Sequence, residues 1–152
     1  IVKVAVVERH QGTGNVACGF LKGYGIKAGA VALSIAHDSH NIIVVGVSDE
    51  EMEFAVNSLI AQEGGMDLVK EGRVIESRQM PIAGLMSDQS GEWVDEKLTA
   101  IHANAYEELG IAGDVEPVMP LCFMSLAVIP EVKLTDMGLF DVTTFSFIPV
   151  EA

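Results

Sequence analysis

The chain has 152 residues, and 22 acidic against nine basic residues give it a formal net charge of −13. This length fits one domain with a core large enough to fold without disulfides, and 49% hydrophobic residues is a globular composition. The negative charge argues against nucleic-acid and anionic-membrane partners, because phosphate contacts need clustered Lys and Arg. No apolar run reaches the roughly 18–20 residues of a membrane-spanning helix.

Two cysteines, Cys18 and Cys122, are too few for a disulfide framework. Both stand among apolar neighbours, which predicts that both are reduced and buried. Reduced thiols favour a cytoplasmic location.

The run Val2 to Val7 is apolar and β-branched, which predicts a buried strand. Because the chain starts inside this run without polar residues before it, we expect it to be cut from a longer protein. Six glycines between Gly12 and Gly29 then make a long helix there improbable. Two further strands are predicted over residues 30–36 and 42–47, joined by five polar residues.

A capping box at Ser48 to Glu51 predicts a helix start, with the Ser48 and Glu51 side chains each binding the other residue's backbone N–H. An apolar stripe along one helix face follows, formed by Met52, Ala55, Val56, Leu59 and Ile60. Gly64-Gly65 is predicted to end this helix. The tetrapeptide 70–73 between two apolar pairs then indicates a hairpin.

A second helix is predicted from Glu92 to Leu109, ended by Gly110. The apolar run Leu121 to Ile129 between two prolines predicts a core strand, and Phe145 to Ile148 a strand that closes the sheet. Together these elements predict an α+β fold, with a mixed, largely antiparallel sheet or sheets packed against two main amphipathic helices.

The densest polar cluster lies between the two central strands and consists of His37, Asp38, Ser39, His40 and Asn41. Two imidazoles and a carboxylate can bind a metal, transfer protons or bind a heterocyclic ligand. A structural turn held by the Asp38 and Asn41 side chains is equally plausible from the spacing. The flanking strands favour an anchored loop that lines a site.

A second polar group, Glu8-Arg9-His10, follows the first strand. Glu8 and Arg9 fit a plain surface ion pair, and His10 is the one further histidine in a comparable loop that could complete a three-ligand metal site. His102, on the second predicted helix, is better read as a partly buried structural histidine.

The stretch VVERHQGTGNVACGFLKGYGIKAGAVALSIAHDSHNIIVVG, from Val6 to Gly46, closely resembles the C-terminal region of bacterial adenine deaminases, members of the amidohydrolase superfamily. Two later segments resemble the closing motifs of the same family: PIAGLMSD, from Pro81 to Asp88, and LAVIPEVKLTDMGLFD, from Leu126 to Asp141. The resemblance covers nearly the whole chain in order. It implies that residues 1–152 are the C-terminal domain of a longer enzyme.

The family hydrolyses adenine to hypoxanthine and ammonia, as in purine salvage, with metal-activated water in a (β/α)-barrel domain. The resemblance therefore implies a divalent transition metal (Mn, Fe or Zn) in the barrel, no cofactor or metal in this chain, and an isolated chain that is inactive. It also implies the chain's own N-terminal barrel as partner, with a homo-oligomer possible.

On this reading the domain covers or braces the barrel active site. The residues expected near adenine are Arg9, His10, His37, Asp38, Ser39, His40 and Asn41. The alternative is a purely structural or oligomerisation domain that does not contact the substrate.

Overall fold

A computed structural model of the protein describes residues 1–150. Its main sheet is antiparallel and has the strand order β2-β1-β4-β3-β5-β6. The strands are β1 (Val2–Val7), β2 (Val16–Leu21), β3 (Ala30–Leu33), β4 (Ile42–Gly46), β5 (Gly65–Lys70) and β6 (Arg73–Gln79).

A second, three-stranded antiparallel sheet has the order β7-β8-β9 and comprises β7 (Val132–Thr135), β8 (Gly138–Asp141) and β9 (Ser146–Ile148). Three helices complete the described part of the chain: α1 (Asp49–Ala61), α2 (Gly91–Glu107) and the single turn α3 (Met119–Cys122). The α+β prediction is thus confirmed. None of these helices is long and apolar enough to cross a membrane.

The main sheet is buried on both faces, because successive side chains of a strand point to opposite sides. On β3, Ala30 and Ala32 face α1, and the small alanines leave room for the helix. Val31 and Leu33 point the other way, into the larger core that α2 contributes to through Ile101. This two-sided burial explains why the central strands read as continuous apolar runs.

Local signals for α1 and the hairpin were largely correct. Ser48 accepts a hydrogen bond from the Glu51 backbone N–H at 3.3 Å, as predicted. The reciprocal half of the capping box was wrong, because the Glu51 carboxylate accepts from the Glu71 backbone N–H at 2.7 Å instead. Glu71 and Gly72, at φ 53° and 66°, form the two-residue turn between β5 and β6.

The predicted strand over Leu121 to Ile129 was wrong. The run forms the end of α3 and then consecutive turns, in which Met124 N donates to Leu121 O and Leu126 N to Phe123 O. The first four residues of the run, Leu121 to Met124, pack into the larger core from turns on the sheet face, whereas Val128 and Ile129 are exposed. An apolar run therefore needs no place within a ladder of strands to be partly buried.

Two other expectations need correction. Phe145 precedes β9, and β9 closes the small sheet rather than the main one. Cys122 is buried as predicted, but Cys18 is exposed. Cys18 lies on the edge strand β2, whereas α1 packs chiefly over β3, β4 and β5.

Candidate functional site

The two polar groups found in the sequence meet at one edge of the main sheet. Because β1 and β4 are antiparallel and Val7 pairs with Ile42, the residues after β1 lie beside those before β4. His10 Nε2 is 2.8 Å from the Ser39 carbonyl oxygen, and Arg9 N donates to Asn41 Oδ1 at 3.2 Å. We call residues 8–10 and 37–41 the polar edge.

The loop 37–41 is anchored at its ends and open at its tip. His37 N donates to Cys122 O at 2.8 Å, and the His37 ring lies 4.9 Å from that of Phe123. At the other end Asn41 is buried. Between them Asp38 and Ser39 are exposed and His40 is half-buried, so the middle of the loop is free to contact a ligand.

The surroundings of His40 favour its neutral form. Burial, and then the nearby His37, Arg9 and His10 side chains, lower its pKa, and Asp38 opposes them in part. Its Nδ1 atom is buried and has no hydrogen-bond partner within residues 1–150. Because a proton on Nδ1 would lack an acceptor there, the favoured tautomer carries its proton on Nε2. The lowered pKa and the unpartnered Nδ1 together favour a neutral ring that presents Nε2–H as a donor.

Glu8 organises the loop that follows β1. Its carboxylate accepts from the backbone N–H groups of His10, Gln11 and Thr13. Desolvation raises the pKa of Glu8, but these bonds outweigh it and hold the pKa at about 2. Glu8 and Arg9 do not form the surface ion pair that the sequence suggested, since within residues 1–150 no salt bridge joins them.

Arg9 instead braces the segment 81–86. Its Nη2 donates to the Ala83 carbonyl oxygen at 2.7 Å. A Cβ on Gly84 would lie 2.0 Å from Arg9 Nη1, so the guanidinium packs directly on this glycine. Burial lowers the pKa of Arg9, which keeps its charge at neutral pH.

Ser34 is a residue of this edge that sequence reasoning did not assign. Its hydroxyl is fully buried, donates to Gly84 O at 2.6 Å and accepts from Gly65 N at 2.8 Å. Ser34 thus ties the segment 81–86 to the end of β3 and the start of β5. A lone serine within an apolar, strand-like run was the available signal.

A cleft of about 490 Å³ opens beside Arg9 on the α1 side of the edge. Charged and glycine residues line much of it: Glu8, Arg9, His10, Glu63, Gly64 and Gly84. Apolar side chains, among them Ile42, Leu59 and Ile60, line the rest of the cleft. The cleft is open to solvent and combines both charge signs with apolar walls, a mixture found in small-molecule sites.

The histidines of the polar edge do not assemble a metal site. Within residues 1–150, no group of three or more His, Cys, Asp or Glu side chains is placed to hold a metal ion. His10 Nε2 is engaged with the Ser39 carbonyl. His102 lies elsewhere, on α2, with Nε2 at 2.8 Å from Glu116 Oε1, which agrees with a structural role.

Comparison with known proteins gives one consistent family. The family described as "Adenine deaminase C-terminal domain" matches residues 1–146. Adenine deaminase 2 of Desulfotalea psychrophila is 71% identical over the whole chain, which spans 26% of that protein's length. Adenine deaminases of Nitratidesulfovibrio vulgaris strain DP4 and Ligilactobacillus salivarius are 52% and 50% identical over 99% of the chain, and it again spans 26% of each.

Proposed function

The chain belongs to the adenine deaminase C-terminal domain family, and from this we propose that it is the C-terminal domain of an adenine deaminase whose polar edge faces the active site. The parent enzyme would hydrolyse adenine to hypoxanthine and ammonia. The metal that activates water would belong to the barrel domain outside this chain. The chain spans about a quarter of the length of the curated relatives it matches.

The observation that carries the proposal is the convergence of seven candidate residues on one sheet edge. Residues 37–41 and Arg9-His10 are linked by two direct hydrogen bonds although some 30 positions separate them in the chain. Half-buried and exposed polar groups stand at the middle of an otherwise anchored loop. Anchored loops of this kind are where binding residues concentrate.

The exposed groups match the hydrogen-bonding edge of adenine. Adenine offers ring-nitrogen acceptors and an exocyclic amine donor. The neutral His40 ring supplies an Nε2–H donor for a ring nitrogen, and the exposed Asp38 carboxylate supplies an acceptor for the amine. Domain closure over the barrel would also exclude water from the reacting base.

Arg9 and Asn41 have a different role in this proposal. Asn41 is buried and bound to Arg9 N, and the Arg9 side chain is bound to Ala83 O. These contacts favour the structural alternative for these two residues, which act as positioning residues that fix the loop. The substrate contacts are left to His37, Asp38, Ser39 and His40.

The test uses the full-length enzyme and the variants His37→Ala and His40→Ala. We expect kcat/KM for adenine to fall about tenfold to a thousandfold, a loss of roughly 1.4–4 kcal/mol of transition-state stabilisation. Metal content should stay near wild type, and Tm should fall only modestly, because both histidines are half-buried and lie outside the two hydrophobic cores. The 152-residue chain alone should not turn over adenine.

The matched control is His102→Ala, a half-buried histidine on α2 whose partner is Glu116. It should leave kcat/KM unchanged. Wild-type kcat/KM in both loop variants would rule out a substrate contact. A fall in kcat/KM that followed the loss of Tm would assign the loop to the structural alternative.

A further inference from the structure

The small sheet exposes a set of large apolar side chains. Val128 and Met137 are each 70% exposed, and Phe145 is 77% exposed. Phe140 contacts both Phe145 and Phe147, with ring centroids 5.2 and 5.3 Å apart. We call these five residues the apolar face.

The apolar face is the outer side of the small sheet. On β8, Leu139 points inward, and a Cβ on Gly19 of β2 would lie 3.5 Å from its Cδ2 atom. The next residue, Phe140, therefore points outward. The outer side of an exposed antiparallel sheet is ordinarily polar. Three phenylalanines on that side are typical of a protein interaction surface.

The apolar face continues into the polar edge. A cleft of about 390 Å³ is lined on one side by Asp38 and Ser39 and on the other by Val128, Met137 and Phe147. A body that covered the apolar face would therefore border the exposed middle of the loop 37–41. The two surfaces form one continuous side of the domain.

We propose that the apolar face is the docking surface for the N-terminal domain of the same polypeptide. About three-quarters of the length of the curated relatives lies outside the region that this chain matches. A tethered domain is present at high effective concentration, so a modest apolar patch suffices to hold it. This inference goes beyond the proposed function, sharing with it only the premise that this side faces the rest of the enzyme.

Charge favours that partner over a second copy of the chain. Each copy carries a net charge of −13, and Asp38 and Asp136 line the cleft beside the apolar face. Lys133 pairs with Phe140 and lies on the same side of the small sheet. The net charge of −13 on each copy still disfavours contact between two copies. The complementary surface is an apolar centre with Lys or Arg at its rim.

The test uses the full-length enzyme with Phe145→Asp or Met137→Asp. Met137 is mostly exposed in the turn between β7 and β8, so its variant should fold even if Phe145→Asp does not. The control is Phe20→Asp on β2. Phe20 is 68% exposed and pairs with Lys3, at the end of the sheet opposite the polar edge.

We expect wild type and Phe20→Asp to unfold in one calorimetric transition. In both apolar-face variants the unfolding transition of this domain should separate from that of the N-terminal domain. The rate of hydrogen exchange in β7, β8 and β9 should rise about tenfold, because loss of one interface anchor weakens docking by about that factor. Molecular mass by light scattering should be unchanged.

Two outcomes overturn the inference. A lower oligomer mass with a single transition would assign the apolar face to a second copy. Unchanged transitions and exchange in both variants would show that the apolar face stays open to solvent. Failure of the proposed function appears separately, as wild-type kcat/KM in His37→Ala and His40→Ala, because the docking measurements do not depend on activity.

Discussion

Replacing Gly29 by alanine should be among the most destabilising small changes in the main sheet. Gly29 has φ +66°, and a Cβ there would lie 2.0 Å from the Val69 carbonyl oxygen and 2.8 Å from Leu109 Cδ2. Neither the strand nor the helix end can easily retreat, because Ala30 pairs with Val69 and Leu109 is fully buried. The contact with Val69 is with backbone, and the contact with Leu109 is with a side-chain end that only its burial holds in place.

Gly72 provides a matched control. It has the same φ, +66°, but a Cβ there would meet nothing within 4 Å. A left-handed backbone costs a residue with a side chain about 1–2 kcal/mol, and the reduced freedom of the unfolded chain offsets part of this. Both effects apply equally to the two sites, so the difference between the variants isolates the steric collision.

We expect Gly72→Ala to lose about 1 kcal/mol of unfolding free energy. Gly29→Ala should lose about 2–3 kcal/mol more, because overpacking a close-packed core typically costs about 1–3 kcal/mol and here the obstacle is backbone. Urea denaturation of the 152-residue chain measures both values, provided the m-value is unchanged. Equal losses in the two variants would refute the close approach of Gly29 to β5.

Two further predictions concern pH and thiol reactivity. The pKa of His40 is lowered from 6.5 in the folded chain, so as pH falls the unfolded chain takes up a proton before the folded chain does. The contribution of His40 to stability should therefore be complete above about pH 6.5 and decrease as pH drops below it. The decrease should be shallower in His40→Gln, and identical pH profiles for the two proteins would contradict the lowered pKa. Cys18 is exposed and should react at once with a thiol reagent. Burial raises the pKa of the Cys122 thiol to about 11, so Cys122 should react only when the chain unfolds. A fast phase that persisted in Cys18→Ser would contradict the protection of Cys122.

Much of the local structure could be predicted because short-range rules govern it. The β-branched run before Glu8, the Ser48 cap and the two-residue turn at Glu71-Gly72 each act over a few positions. The same holds for α2, whose apolar spacing and terminal Gly110, at φ +64°, placed its end to within two residues: Leu109 was predicted and Glu107 is observed. The candidate residues could also be named, because polar clusters between apolar strands are visible in the sequence.

The run Leu121 to Ile129 shows where local rules fail. An apolar run between prolines is equally compatible with a strand in a ladder and with turns packed on a sheet face. Which one forms depends on where the backbone N–H and C=O groups find partners. Here Leu134 N donates to Met124 O, His37 N donates to Cys122 O, and the other backbone bonds named for this run are local turns. Composition does not encode those partners.

The amino-acid sequence by itself determined which residues could take part in a site and which elements carry them. Tertiary structure alone decided that residues 8–10 and 37–41 share one edge, because the antiparallel pairing of β1 with β4 sets Val7 opposite Ile42. It also decided that Arg9 donates to the Ala83 carbonyl oxygen, 74 positions away in the chain. A charged side chain such as Arg9 binds whichever groups the completed fold brings within hydrogen-bonding distance. Which groups come that close depends on strand register across the whole sheet.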